Sequence, residues 1–248
     1  MIALIAAVPL ETALLRRTMS PCEVRSCGRF DLYRGTVGGQ AVVLLHSGVG
    51  KANAAAATAI LLETLRPEMV VNFGCGGAFP ECGLNIGDLA LASEECYGDE
   101  GVTTPSGFLD LQDLNLPLVQ RNGQAHYNHY PVTPDLLERA RSILAVALTG
   151  NAPRLAVGTF VTVSTCSGTD QAAAALYQRT QGICENMEGG AIAQLCCRYN
   201  IPFMALRGIS NFAENRDPAR WDLAGGAKTA QQAVQILLER WHDQKEPA

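Results

Sequence analysis

Residues 183–211 read I-C-E-N-M-E-G-G-A-I-A-Q-L-C-C-R-Y-N-I-P-F-M-A-L-R-G-I-S-N. The stretch divides into a short strand over 183–187, a helix over 188–199 and a second apolar strand over 201–210. Strands that alternate with helices give helices packed on a mostly parallel sheet. The second strand ends in Arg207-Gly-Ile-Ser-Asn-Phe-Ala-Glu-Asn-Arg-Asp217. In open α/β sheets ligands sit at the carboxyl ends of such strands. The uncharged amide of Asn211 stands there, where a catalytic carboxylate would be expected.

The same alternation runs outward in both directions. Toward the amino terminus, strands are expected over 2–8, 30–37, 41–45, 69–73 and 86–92, with Gly38-Gly39 as a hairpin turn. Pro9 suits the first turn of a helix over 9–18. S-G-V-G-K (47–51) reads as a glycine loop opening an alanine-rich helix that Pro67 closes. Further helices are expected over 134–148, 169–179 and 226–242, and a strand over 155–163. The polar, weakly periodic segment 94–134 has the character of a lid or subunit contact. The expectation is one domain over 1–248: a three-layer α/β/α sandwich around a twisted mixed, mostly parallel sheet.

Composition narrows the partners. The 248 residues carry a net charge of -5, with 48% hydrophobic and 17% charged residues. No basic run offers a footprint for nucleic acid. No stretch of about 20 nearly uncharged apolar residues offers a membrane span. The opening M-I-A-L-I-A-A-V-P-L-E reads as a buried strand, not a signal peptide. Nine cysteines without C-x-x-C spacing suit buried thiols in a reducing cytoplasm. The Gly74–Ala78 stretch lacks the last glycine of a dinucleotide loop, and G-V-G-K-A lacks the residues of a P-loop. His126 and His129 alone make a weak metal site. No cofactor or metal is expected.

Polar or glycine residues recur at the strand ends: Glu11, the 47–50 loop, the 74–78 loop, 163–167, Asn186-Met187-Glu188 and Ser210-Asn211. Glu188 opens a helix, so its bland role is to face the helix dipole.

E-N-M-E-G-G-A-I-A-Q-L-C followed by R-G-I-S-N resembles the signature of the purine nucleoside phosphorylase and nucleosidase superfamily. It is similar above all to the methylthioadenosine/S-adenosylhomocysteine nucleosidases, whose text is M-E-x-x-A-I-A then R-x-I-S-D. L-L-H-S-G-V-G-K-A-N-A-A-A, V-N-F-G-C-G-G-A and A-A-V-P-L-E-T-A-L-L match three further family segments. The resemblance implies that Glu11 activates water, that Glu188 holds the ribose hydroxyls and that Met187 packs on the sugar. It places Val49 against the 5′ substituent, Cys75, Gly76 and Gly77 along the base, and Ser210-Asn211 where the family's Ser-Asp pair meets purine N7. Thr165, Cys166 and Asn186 fall in matching strand-end segments and join the substrate-binding set.

The chain lacks the Gly-Asp-Pro and arginine of phosphorylases near its start. It has Glu11 where an anion would be repelled, and His46 stands near a common phosphorylase arginine. Hydrolysis is therefore expected. Asn211 can donate to O6 and accept from a protonated N7, which suits a 6-oxopurine. S-N-F-A-E-N-R-D-P-A-R-W and T-V-S-T-C-S-G-T also resemble the futalosine hydrolases, which release hypoxanthine in menaquinone biosynthesis. Arg216 is the candidate partner of a carboxylate on the 5′ arm, with an ion pair to Asp217 as the plainer role. The alternatives are a methylthioadenosine/S-adenosylhomocysteine nucleosidase, a 6-oxopurine phosphorylase and a catalytically weak nucleoside-binding sensor on the same fold. The family commonly completes its 5′ pocket from a neighbouring subunit, so a homo-oligomer with a dimer as minimal unit is expected, residues 101–118 contributing.

Overall fold

The structure, a computed structural model, describes residues 1–149 and 153–241. The chain opens with β1 (Ile2–Ala6), a 3-10 turn at Pro9–Glu11 and the short helix α1 (Ala13–Thr18). Then come β2 (Glu23–Cys27), β3 (Phe30–Val37), β4 (Gln40–His46), α2 (Lys51–Leu65), β5 (Met69–Ala78) and β6 (Leu89–Tyr97). Five short strands occupy the weakly periodic segment: β7 (Gly101–Thr104), β8 (Gly107–Asp110), β9 (Val119–Arg121), β10 (Gln124–His126) and β11 (His129–Pro131). The order continues with α3 (Pro134–Ala147), β12 (Leu155–Thr162), α4 (Asp170–Thr180), β13 (Cys184–Asn186), α5 (Gly189–Tyr199), β14 (Phe203–Phe212) and α6 (Leu223–Arg240).

Period-2 alternation builds the layers. Along β1, Ala3 and Ile5 join the core under α2 and α5, while Ile2, Leu4 and Ala6 join the core under α1, α3 and α6. A strand buried on both faces needs the continuous apolar run seen here. β1 pairs in parallel with β4 and β5, and β14 pairs in parallel with β5. The antiparallel β4–β3–β2 meander extends one side. On the other side β5, β13, β12, β6 and β14 pair in turn, and β14 pairs again with β5, so these five strands close into a ring. Among the described residues no helix is long and apolar enough to cross a membrane.

Several boundaries differ from the sequence reading, each for a physical reason. The Gly74–Ala78 stretch is not a loop. It continues β5, because β14 and β13 pair both of its margins. Gly76 must be glycine there: a Cβ would lie 2.3 Å from Cys184 Sγ. The strand expected over 86–92 begins at Leu89 and runs to Tyr97, since Glu94 and Glu95 find partners inside the sheet. β2 went unread because four of its five residues are exposed, leaving no alternation to detect. The helix expected over 9–18 is broken into a 3-10 turn and α1. α6 starts earlier than expected, at Leu223, where the Asp222 carboxylate accepts from Gly225 N. Its expected end at His242 lies outside the described residues.

Two bulges shape the ring. β14 steps from Ile209 opposite Gly76 to Asn211 opposite Gly77, so Ser210 is an extra residue. β6 steps likewise at Ser93, opposite Gly158 and Thr159. A bulge bends a strand and re-aims the side chains that follow it.

Candidate active site

Glu11 ends the 3-10 turn after β1, and its carboxylate turns back onto the strand end. Oε2 accepts from Ala7 N at 3.0 Å and Val8 N at 3.2 Å, and Oε1 accepts from Cys75 N at 2.8 Å. The turn is held from below by Gln231 of α6, which is buried. Its Oε1 accepts from Leu14 N at 2.7 Å and Leu15 N at 3.3 Å, satisfying the free N–H groups that open α1, and its Nε2 donates to Leu10 O. Next to Glu11, Thr12 Oγ1 lies 2.6 Å from His46 Nε2. Burial pushes the His46 imidazole below its usual range, and Arg16 adds to the effect.

Glu188 precedes α5. Its Oε1 accepts from Gly50 N at 2.8 Å. Gly48 and Gly50 hold φ of +81° and +90°, backbone that only glycine enters without strain. That loop is tied to the end of β1 by Ser47 N and Gly48 N, which donate to Ala6 O and Ala7 O. Burial pushes the Glu188 carboxyl above the ordinary range. The Gly50 N–H and Arg207 oppose the shift, and the charge of Glu11 reinforces it.

Behind Glu188 lies a buried polar network. Asn186 Oδ1 accepts from Glu188 N at 3.0 Å and Gly189 N at 2.7 Å and lies 3.1 Å from Thr162 Oγ1, while its Nδ2 donates to Glu95 Oε2 at 3.1 Å. Arg207, almost fully buried on β14, donates to Asn72 Oδ1, to Asn186 Oδ1 at 3.3 Å and to Leu206 O. Asn186, expected in the substrate-binding set, has its amide held by protein partners on both sides.

Across from the glutamates, β5 and β14 present Cys75, Gly76, Gly77, Ser210 and Asn211. Ser210 Oγ lies 2.8 Å from Asn211 Oδ1 and 3.4 Å from Gly76 O. Asn211 Nδ2 donates to Phe212 O at 3.0 Å. The amide thus keeps one N–H and one acceptor position free of these bonds. A Cβ on Gly77 would lie 2.9 Å from Asn211 Nδ2, so glycine is what allows this approach. Burial and the charge of Glu11 push the Cys75 thiol up to about 12, against the lowering pull of Arg207. It is a neutral thiol, bonded to Leu223 O at 3.3 Å.

The remaining expected residues form the rim. Val49 is 51% exposed and Met187 half-buried. Thr165 and Cys166 are exposed on the loop after β12. Glu185, which accepts from Ser167 N and Oγ, and Asp99, which accepts from Ser164 N, anchor that loop. Arg216 does not pair with Asp217, whose carboxylate caps a 3-10 turn through Ala219 N. Its guanidinium instead lies 4.3 Å over the Trp221 ring.

Contacts and adjoining backbone therefore link Glu188, Gly50, Gly48, Ala7, Glu11, Cys75, Gly77 and Asn211 at a single end of the sheet. Arg207, Glu95, Gln231 and Asn72 were missing from the sequence reading. A lone arginine within the apolar run F-M-A-L-R-G-I was the available signal, since a buried charge needs partners.

The family model of the phosphorylase superfamily matches residues 1–241. A 5′-methylthioadenosine/S-adenosylhomocysteine nucleosidase of Halalkalibacterium halodurans is 31% identical over 214 residues, 86% of this chain and 85% of that protein. The structure of the corresponding nucleosidase from Neisseria meningitidis, in complex with methylthio-immucillin-A, aligns with a TM-score of 0.82 and 26% identity. The alignment covers 96% of this chain and 98% of that one. A futalosine hydrolase of Helicobacter pylori aligns with a TM-score of 0.81 at 18% identity, over 96% of this chain and 97% of that one, a likeness of fold.

Proposed function

Since the chain belongs to the phosphorylase superfamily, we propose that it hydrolyses the N-ribosidic bond of a purine nucleoside bearing a 5′ arm. The observation that carries this is the convergence of Glu11 and Glu188 at one end of the sheet, with the Asn211 amide facing Gly77 of β5. A carboxylate offers about four lone-pair positions. Backbone N–H groups of Ala7, Val8 and Cys75 take three on Glu11. The fourth is the place for a water whose proton Glu11 removes as the oxygen attacks the anomeric carbon. The C–N electron pair departs with the base. Glu188 takes hydrogen bonds from the ribose hydroxyls and offsets the positive charge that builds on the sugar.

Asn211 supports a finer reading. A carboxamide cannot deliver a proton to N7, so the base departs as the anion and takes its proton from solvent; the amide can donate to O6 throughout and accept from N7–H once that proton is in place. A 6-oxopurine, whose carbonyl also spreads the charge of a departing anionic base, suits it better than a 6-aminopurine. The proposed base is hypoxanthine and the proposed substrate futalosine, with Arg216 on its Trp221 platform as a candidate partner for the arm's carboxylate. A second reading, a methylthioadenosine/S-adenosylhomocysteine nucleosidase, is favoured by the names of the nearer relatives. An asparagine amide can also bridge N6–H and N7 of adenine, so the base must be tested directly. Val102, Leu109 and Leu116, exposed on β7, β8 and the loop beyond, support a dimer as the active unit, checked by sedimentation.

The test is base release from futalosine, aminofutalosine, methylthioadenosine and inosine, each with and without phosphate. Hypoxanthine release from futalosine, independent of phosphate, is expected. Faster cleavage of methylthioadenosine or aminofutalosine would establish the second reading. A strict phosphate requirement with a ribose-1-phosphate product would overturn hydrolysis.

A further inference from the structure

Glu95 has no part in the chemistry above, yet it is the most deeply buried acid of the site. Oε2 accepts from Thr162 Oγ1 at 2.9 Å and from Asn186 Nδ2 at 3.1 Å. Oε1 is buried and without a hydrogen-bond partner among the described residues. It lies where a Cβ on Gly189 would come within 1.8 Å, so the carboxyl is walled in by the first residue of α5. A buried acid with one unpartnered oxygen is a poor stabilising element, and an apolar side chain of similar size would be cheaper to bury. Its value must lie in what it orients.

That object is the Asn186 amide. An asparagine side chain can be flipped end for end with little change in shape. Here Oδ1 faces two backbone donors, Glu188 N and Gly189 N. The flipped amide would set NH₂ against those N–H groups. An acceptor at residue 95 holds the NH₂ on its own side and thereby holds Oδ1 toward α5. We infer that Glu95 and Asn186 form a positioning pair for Glu188, in which Glu95 fixes the amide orientation that locks the first turn of α5. The inference rests on the role given to Glu188 above. The glutamate is anchored through its backbone N by Asn186 and through its carboxylate by Gly50 N, and only the first anchor depends on the pair.

The experiment uses Asn186→Asp, Glu95→Gln, the double variant and Glu95→Leu, each with a thermal midpoint. In Asn186→Asp two carboxyls meet at hydrogen-bond distance and must share a proton. Rising pH removes it, and the first turn of α5 is pushed out of place. Misplacement by about 1 Å costs about 10²-fold, so kcat/KM should fall about 10²-fold near pH 8 and less near pH 6. Most of the loss should be in kcat, because Glu188 acts most strongly as charge builds on the sugar. In the double variant the carboxamide at position 95 turns its NH₂ toward the carboxylate at position 186 and donates to it. Activity should then return to within about tenfold of wild type across that range. Glu95→Leu leaves Asn186 Nδ2 and Thr162 Oγ1 without their acceptor, so its thermal midpoint should fall by a few degrees. Activity should nonetheless be lost in assays run well below that midpoint, which separates positioning from stability and serves if Asn186→Asp does not fold.

The other groups facing Glu95 are Arg207 of β14, Glu188, Tyr97 of β6 and Cys184 of β13. Burial pushes Tyr97 and Cys184 further above their already alkaline values, so neither titrates between about pH 6 and 8. Wild-type activity with an Asn186→Asp variant that is undamaged, or damaged and not rescued, overturns the inference. So does Glu95→Leu at full activity. Wild type that releases no base from any nucleoside overturns the reading of the site itself.

Discussion

Replacing Glu11 by Gln separates what the carboxylate does for catalysis from what it does for the fold. The side chain accepts three backbone N–H groups, two on Oε2 and one on Oε1. Glutamine keeps one acceptor oxygen. Its lower-cost orientation leaves that oxygen on Ala7 and Val8 and turns NH₂ against Cys75 N–H. One charge-assisted bond is lost and one buried donor is left unsatisfied, a cost of about 1–3 kcal/mol. For a chain of this size each kcal/mol lowers Tm by about 2–4 °C. Removal of the group that takes the water's proton should also lower kcat by about 10²–10⁴. Calorimetry and base-release assays on the same preparations read both effects. A variant that keeps about a tenth or more of wild-type kcat lies outside that range and would refute the assignment of Glu11 as base. An unchanged Tm would refute the accounting of its three hydrogen bonds.

Asn211→Asp should move preference toward 6-aminopurine nucleosides by about 5- to 150-fold, about 1–3 kcal/mol of differential binding, read as the ratio of kcat/KM for futalosine and aminofutalosine. The Glu188 carboxyl is held above its usual range by burial, so the acid limb of kcat/KM should lie above about pH 4.3. Because its folded value is raised, its contribution to stability falls as pH climbs from the unfolded value through the raised one. Glu188→Gln should therefore abolish activity while raising Tm at neutral pH, and a lowered Tm would contradict the burial argument. Gly76→Ala places a methyl 2.3 Å from Cys184 Sγ and should cost about 1–3 kcal/mol in denaturant unfolding. Adding Cys184→Ala should recover much of that cost.

The layers were readable because β1 is apolar throughout and β14 is apolar from Phe203 to Leu206, and because Pro9, Pro67 and Thr169 punctuate the helices. What escaped reading was polarity that partners neutralise inside the fold. Glu94 and Glu95 resemble the end of a strand until Thr159, Thr162 and Asn186 supply their hydrogen bonds. The 74–78 glycines resemble a loop until β13 and β14 are seen on either margin. At the site, Glu11, Glu188 and Asn211 stand out through their positions at strand ends. Asn186 does not reveal that its amide points inward, since that depends on Glu95, 91 positions away.

The extra residue at Ser210 governs how this base pocket can change. Removing Ser210 would leave the amide opposite Gly77 but would straighten the strand and take away the hydroxyl that bonds Asn211 Oδ1, so the amide would lose the aim that the bulge gives it. Length in this stretch is therefore constrained while identity is open. A shift in preferred nucleobase should arise by exchanging the side chain at 211, and laboratory libraries that vary residue type there without insertions or deletions should yield the active variants.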